Sequence, residues 1–99
     1  MTNGDSRPVP VPIEDSLDLH PFAPQEIPEV VGAYLEAARD AGLTEVRLIH
    51  GRGRGVQRAR VHALLATLSF VAEAYEAPPG RGGWGATVVV LATAGKAGA

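Results

Sequence analysis

The chain contains no cysteine, which excludes disulfides and thiolate chemistry and fits a cytoplasmic setting. No apolar run approaches the roughly 18–20 residues of a membrane span, so no membrane partner is expected. The opening Met1-Thr2-Asn3-Gly4-Asp5 lacks a basic region followed by an apolar core, and no signal peptide is expected. No internal repeat occurs. A nucleotide cofactor finds little support, because the glycine series near residue 51 has Val56 where G-x-G-x-x-G needs glycine. The Lys-Ser/Thr pair of a P-loop is missing too.

What remains is a chain of 99 residues, 45% apolar and 20% charged, enough for one domain with a single two-layer core. Its net charge is −2, but the charges are unevenly spread. Asp5, Glu14, Asp15, Asp18, Glu26, Glu29, Glu36, Asp40 and Glu45 precede residue 46, with only Arg7 and Arg39 among them. From residue 47 to 81, Arg47, Arg52, Arg54, Arg58, Arg60 and Arg81 outnumber Glu73 and Glu76. Such asymmetry implies a surface with an anion-facing side, unless folding interleaves the two halves.

Residues 1–12 are polar and proline-rich and read as an extended arm, 13–92 as the folded domain, and 93–99 as a frayed tail. Ile13 to His20 reads as a strand that alternates through Leu17-Asp18-Leu19-His20, with Asp18 and His20 on one face. Pro21 stops it. A helix begins between Pro24 and Pro28, carries the stripe Ile27, Val31, Leu35 and Ala38, and closes at Gly42. Glu45 to His50 is a second strand, parallel to the first. Val61, Leu64, Leu65 and Leu68 mark a second helix from about Val56 to Ser69. Phe70 to Ala77 reads as a third strand, although Ala72-Glu73-Ala74 suits a helix too. Pro78 to Gly85 is a loop, and Ala86 to Ala92 a buried, β-branched strand. The fold class is α/β: a two-layer β-α-β-α-β-β sandwich with two helices on a mixed four-stranded sheet.

Two parallel strands ending in His20 and His50 bring both imidazoles to the sheet edge where open α/β sheets bind ligands. Asp18 and His20 then form an acid–base or metal-ligand pair; in the alternative, Asp18 caps and His20 merely ends a strand. A divalent ion, Mg2+ or Mn2+, held by Asp18 with His20 or His50 is chemically allowed, though the spacing does not call for one. Gly51, Gly53 and Gly55, with Arg52 and Arg54 between them, form a loop that runs straight into a helix, an arrangement suited to an anion or simply to a tight turn. Arg58 and Arg60 lie in the first turns of that helix, where cations oppose the macrodipole. They serve either an anion or a solvated face. His62 stands beside the core position Val61. Trp84, near Arg81, either stacks on a base or folds down over the sheet end.

Leu17-Asp18-Leu19-His20, Ile49-His50-Gly51-Arg52-Gly53 and Gly82-Gly83-Trp84-Gly85-Ala86-Thr87-Val88-Val89-Val90-Leu91, in this order and spacing, resemble the Smr (small MutS-related) domain from about Ser16 to Ala92. The resemblance implies a fold like the C-terminal domain of translation initiation factor 3. It also implies nicking or endonucleolytic cleavage of DNA or RNA. The family's L-D-x-H-G motif falls on Leu17, Asp18, Leu19 and His20, and its H-G-x-G motif on His50 to Gly53. One departure stands out: Pro21 occupies the place of the glycine after the first histidine, so its nitrogen cannot donate.

On this reading Asp18, His20 and His50 are the catalytic candidates. Gly51, Arg52, Gly53, Arg54, Gly55, Arg58, Arg81 and Trp84 would contact phosphate or nucleic acid. The non-catalytic alternatives are a module that only grips nucleic acid, and an interaction domain whose arm docks to a protein partner in a larger repair or translation-related complex.

Overall fold

A computed structural model describes residues 13–53 and 55–92; the arm over 1–12, Arg54 and the tail over 93–99 lie outside the described residues. Four strands and two helices follow the expected order: β1 (Ser16–Asp18), α1 (Ile27–Asp40), β2 (Glu45–Ile49), α2 (Val56–Leu65), β3 (Val71–Glu76) and β4 (Ala86–Leu91). The sheet runs β1-β2-β4-β3, with β1 parallel to β2 and β4 antiparallel to both β2 and β3. The chain steps across the sheet in one direction through α1 and again through α2. Two crossovers of one hand therefore stack both helices on a single face.

That face holds the core. Val46 and Leu48 of β2 and Val89 and Leu91 of β4 meet Ile27, Val31, Leu35 and Ala38 of α1 and Val61 and Leu65 of α2. Val31, Leu35, Val46, Leu48, Val61 and Val89 are completely buried, so truncating Leu48 to alanine would cost about 2–5 kcal/mol. The opposite face carries a smaller cluster of Ala77, Ala86 and Val88, with Ile49 against it. At the same face the 78–85 connection folds back: Arg47 donates to the Arg81 carbonyl at 2.8 Å and Arg81 meets Glu45 at 3.0 Å.

Element ends depart from the sequence reading by more than one residue at two places. β1 is three residues long rather than the whole of Ile13–His20, because pairing with β2 begins only at Ser16 and the chain turns after Leu19, with Phe22 donating to the Leu19 carbonyl. The second helix ends at Leu65 rather than Ser69. There Thr67 and Leu68 donate to carbonyls three residues back, and the Thr67 hydroxyl also takes the Leu64 carbonyl, so the last turn tightens and stops. Gly42 closes the first helix as expected: Leu43 donates to Ala38 and Gly42 to Arg39, the paired bonds of a Schellman ending. No helix among the described residues is long and apolar enough to cross a membrane.

Candidate functional site

The register of the parallel pair decides what meets at the sheet edge. Asp18 of β1 lies level with Ile49 of β2, and Leu19 continues the ladder by donating to the Ile49 carbonyl at 2.9 Å. Two residues further along each chain, His20 arrives beside Gly51. A Cβ built on Gly51 would stand 2.8 Å from His20 Nε2, and the Gly51 φ of +87° is one that side-chain-bearing residues rarely adopt. Glycine thus serves twice at this position, for its backbone angle and for the approach of the ring.

The His20 imidazole is held from the other side. Its Nδ1–H donates to Asp18 Oδ1 at 2.5 Å, and the His20 backbone N–H donates to the same oxygen at 2.9 Å. These bonds, the backbone one first, hold the Asp18 carboxyl below its ordinary value. With Nδ1 carrying the proton, neutral His20 presents a lone pair at Nε2. Both side chains are more than half exposed, and Nε2 is the ring atom nearest Gly51. Pro21 does not prevent this contact, since the Asp18–His20–Gly51 arrangement uses no donor from residue 21.

His50 is placed differently. It is only 7% exposed, and both ring nitrogens are engaged: Nδ1–H donates to the Gly51 carbonyl at 3.0 Å, and Nε2 meets Thr87 Oγ1 at 2.9 Å. His62 reaches the same hydroxyl from α2 at 3.0 Å. Burial pushes both rings below the ordinary histidine value, and Arg58 nearby adds to the effect. His50, one of the catalytic candidates, is thus bonded into the interior. Thr87 is the residue the sequence reading missed. The available signal was a hydroxyl in an otherwise apolar strand on the helix-facing register, which has to find a hydrogen-bond partner.

The glycine loop is stitched to the turn at Gly83–Gly85. The Gly85 carbonyl accepts from the backbone N–H of both His50, at 3.0 Å, and Gly51, at 2.8 Å. The Gly51 N–H, expected to face an anion, is therefore already used. Arg52 lies along this turn: a Cβ on Gly85 would come within 2.9 Å of its Cγ, and one on Gly83 within 3.2 Å of Nη2. Trp84 sits between these two glycines and is 39% exposed, neither fully extended into solvent nor folded away. Gly53 and Gly55 have open space where a side chain would be, and Gly55 begins α2 with no side-chain cap. Two expected contributors have carboxylate partners elsewhere: Arg58 faces Glu76 at 3.6 Å and Arg81 faces Glu45 at 3.0 Å.

The edge thus gathers Asp18, His20, His50, Gly51, Arg52 and the Trp84 turn. Among the described residues no three histidine or carboxylate side chains converge on a point that could hold a metal ion. Asp18 and His20 together would offer Mg2+ or Mn2+ one carboxylate and one imidazole, leaving the other positions to waters and substrate phosphate.

Comparison with known proteins agrees with the fold. Residues 17–92 match the family described as Smr domain. Endonuclease MutS2 of Thermus thermophilus is 46% identical over 57 residues, which are 58% of this chain and 8% of that protein. Endonuclease MutS2 of Clostridium botulinum is 38% identical over 79 residues, 80% of this chain and 10% of that protein. The chain therefore spans a tenth or less of the length of these relatives. The crystal structure of the Smr domain of Thermus thermophilus MutS2 superposes with a TM-score of 0.74 at 38% identity, covering 79% of this chain and 98% of that one. YdaL, a stand-alone small MutS-related protein from Escherichia coli, gives a TM-score of 0.74 at 31% identity over 81% of this chain and 66% of that one. With the family pattern matched from Leu17 to Ala92, the chain belongs to the Smr domain family.

Proposed function

We propose that this sheet edge binds the phosphodiester backbone of DNA or RNA and nicks it, with His20 as the general base. The observation that carries the reading is the Asp18–His20 pair, in which a carboxylate fixes an exposed ring with its Nε2 beside the glycine loop. In this reading Nε2 takes a proton as an oxygen nucleophile attacks phosphorus in line. The nucleophile is water on DNA, and water or the neighbouring 2′-hydroxyl on RNA. The bond from phosphorus to the leaving sugar oxygen breaks, and that oxygen takes a proton from solvent. Arg52 and the uncapped start of α2 offset the charge that grows on the phosphoryl oxygens. The MutS2 relatives are named as endonucleases, which supports the same chemistry for this edge.

A second reading, binding without cleavage, is favoured by one observation: both nitrogens of His50 are occupied, leaving His20 as the open imidazole of the two. Supercoiled plasmid and labelled structured RNA, each incubated with chelator, magnesium or manganese, separate the two. Cleavage by the wild-type chain that falls at least about 100-fold in His20→Ala, with binding retained, fits the first reading. Binding with no nicking under any of these conditions fits the second. Nicking at the wild-type rate by His20→Ala overturns the assignment of the base.

A further inference from the structure

Thr87 is the one hydroxyl in the Ala86–Leu91 strand; it is wholly inaccessible to solvent, and two imidazoles converge on it. The proton arrangement in this chain is determined by its far end. A carbonyl can only accept, so the bond to Gly51 puts the His50 proton on Nδ1 and leaves Nε2 as an acceptor. The Thr87 hydroxyl must then donate to His50 Nε2, and one of its lone pairs receives the Nε2–H of His62. Four bonding groups are matched in one direction, from α2 through β4 and the end of β2 to the loop. Turning any one of them round places two donors or two acceptors face to face in a buried setting.

We propose that Thr87 and His62 are positioning residues: through His50 they hold the Gly51 carbonyl, and with it the wall against which the His20 ring stands. The inference rests on the phosphodiester reading only for what the site binds; the positioning belongs to the free protein. The groups facing His50 are Thr87 from β4, His62 and Arg58 from α2, and His20 from the end of β1, while Glu76 of β3 engages Arg58. A second proton on His50 would add a cation beside Arg58 and turn Nε2 from acceptor to donor against the hydroxyl. The Thr87 hydroxyl would then accept from both rings, and its own proton would lose its partner.

The test uses the free, full chain. Two-bond 1H–15N spectra at neutral pH should show His50 protonated at Nδ1 alone and His62 at Nε2. Thr87→Val should move the Gly51 amide and the His20 ring resonances, raise the His50 titration midpoint, and weaken binding of a short single-stranded oligonucleotide roughly five- to tenfold. Thr87→Ser, which keeps the hydroxyl, should return affinity to within about twofold of wild type. A purely structural role for Thr87 would leave the His20 and Gly51 resonances of folded Thr87→Val in place, and that result overturns the proposal. So does a wild-type His50 protonated at Nε2. Should Thr87→Val not fold, His62→Ala decides, because its half-buried helix position tolerates truncation: unmoved His50 and His20 resonances count against positioning, shifted ones support it. An oligonucleotide that fails to bind wild type sinks the phosphodiester reading, while the spectra still decide the positioning.

Discussion

His20 and Gly51 are in such close contact that any side chain at residue 51 would strike the imidazole: the nearest ring atom, Nε2, lies 2.8 Å from where a Cβ would sit. Gly51→Ala therefore carries both a steric clash and a backbone angle of +87°, and is expected to cost about 1–3 kcal/mol. Gly80→Ala, with nothing within 4 Å of the added carbon, should stay within about 0.5 kcal/mol of wild type. Urea unfolding of the two variants checks this, and equal midpoints would show that the contact is not tight.

Arg52 depends on its neighbours having no side chains. Gly85→Ala would bring a methyl group to 2.9 Å from Arg52 Cγ and to 3.3 Å from the Gly51 carbonyl carbon, and the arginine stem has to leave the turn. Affinity for a single-stranded oligonucleotide should fall in Gly85→Ala much as it does in Arg52→Ala. Removing Arg52 should also reduce the slope of log affinity against log salt by about one, the signature of one lost phosphate contact. An unchanged slope in Arg52→Ala would place the phosphate elsewhere.

Arg81 offers the contrasting case. Its guanidinium meets Glu45 and its carbonyl receives Arg47, so it braces the 78–85 connection against β2. Arg81→Ala should lower stability by less than about 1 kcal/mol, as expected of an exposed pair. It should leave the salt slope of oligonucleotide binding unchanged. Salt titrations of Arg81→Ala beside Arg52→Ala decide between a brace and a ligand contact.

The pH dependence of stability follows from the two depressed histidines. His50 and His62 are pushed below 6.5 by burial first and by neighbouring positive charge second. In the unfolded chain both take a proton near 6.5, whereas the native state resists it. Their contribution is complete above that value, declines as the pH falls through it, and levels off once the native values are passed. Asp18, held below 3.8, contributes above that value, and its share declines as the pH falls from there through its native value. Thermal unfolding midpoints from about pH 8 down to about pH 5 should fall across this range, and fall less in His62→Ala. A flat profile would contradict the buried, neutral state of the two rings.

The element order and the Smr resemblance were legible in the residues because both rest on local signals. The stripe Ile27, Val31, Leu35 and Ala38, the β-branched run ending at Leu91, and the punctuation by Gly42 and Pro21 each act within one or two turns of chain. Two parallel strands running toward His20 and His50 were enough to bring both imidazoles to one sheet edge. Roles within the edge were not legible, since they depend on which distant groups each ring meets. By alternation alone His20 and His50 look alike. The register of β1 against β2 and the arrival of β4 leave His20 open over Gly51 and bury His50 on Thr87. Arg52 and Arg81 likewise looked equivalent, until packing laid one along the Gly83–Gly85 turn and paired the other with Glu45. Local periodicity and backbone chemistry set the architecture. Strand register and side-chain burial, which arise only when distant segments pack, chose which histidine faces solvent and which of the two arginines meets a carboxylate among the described residues.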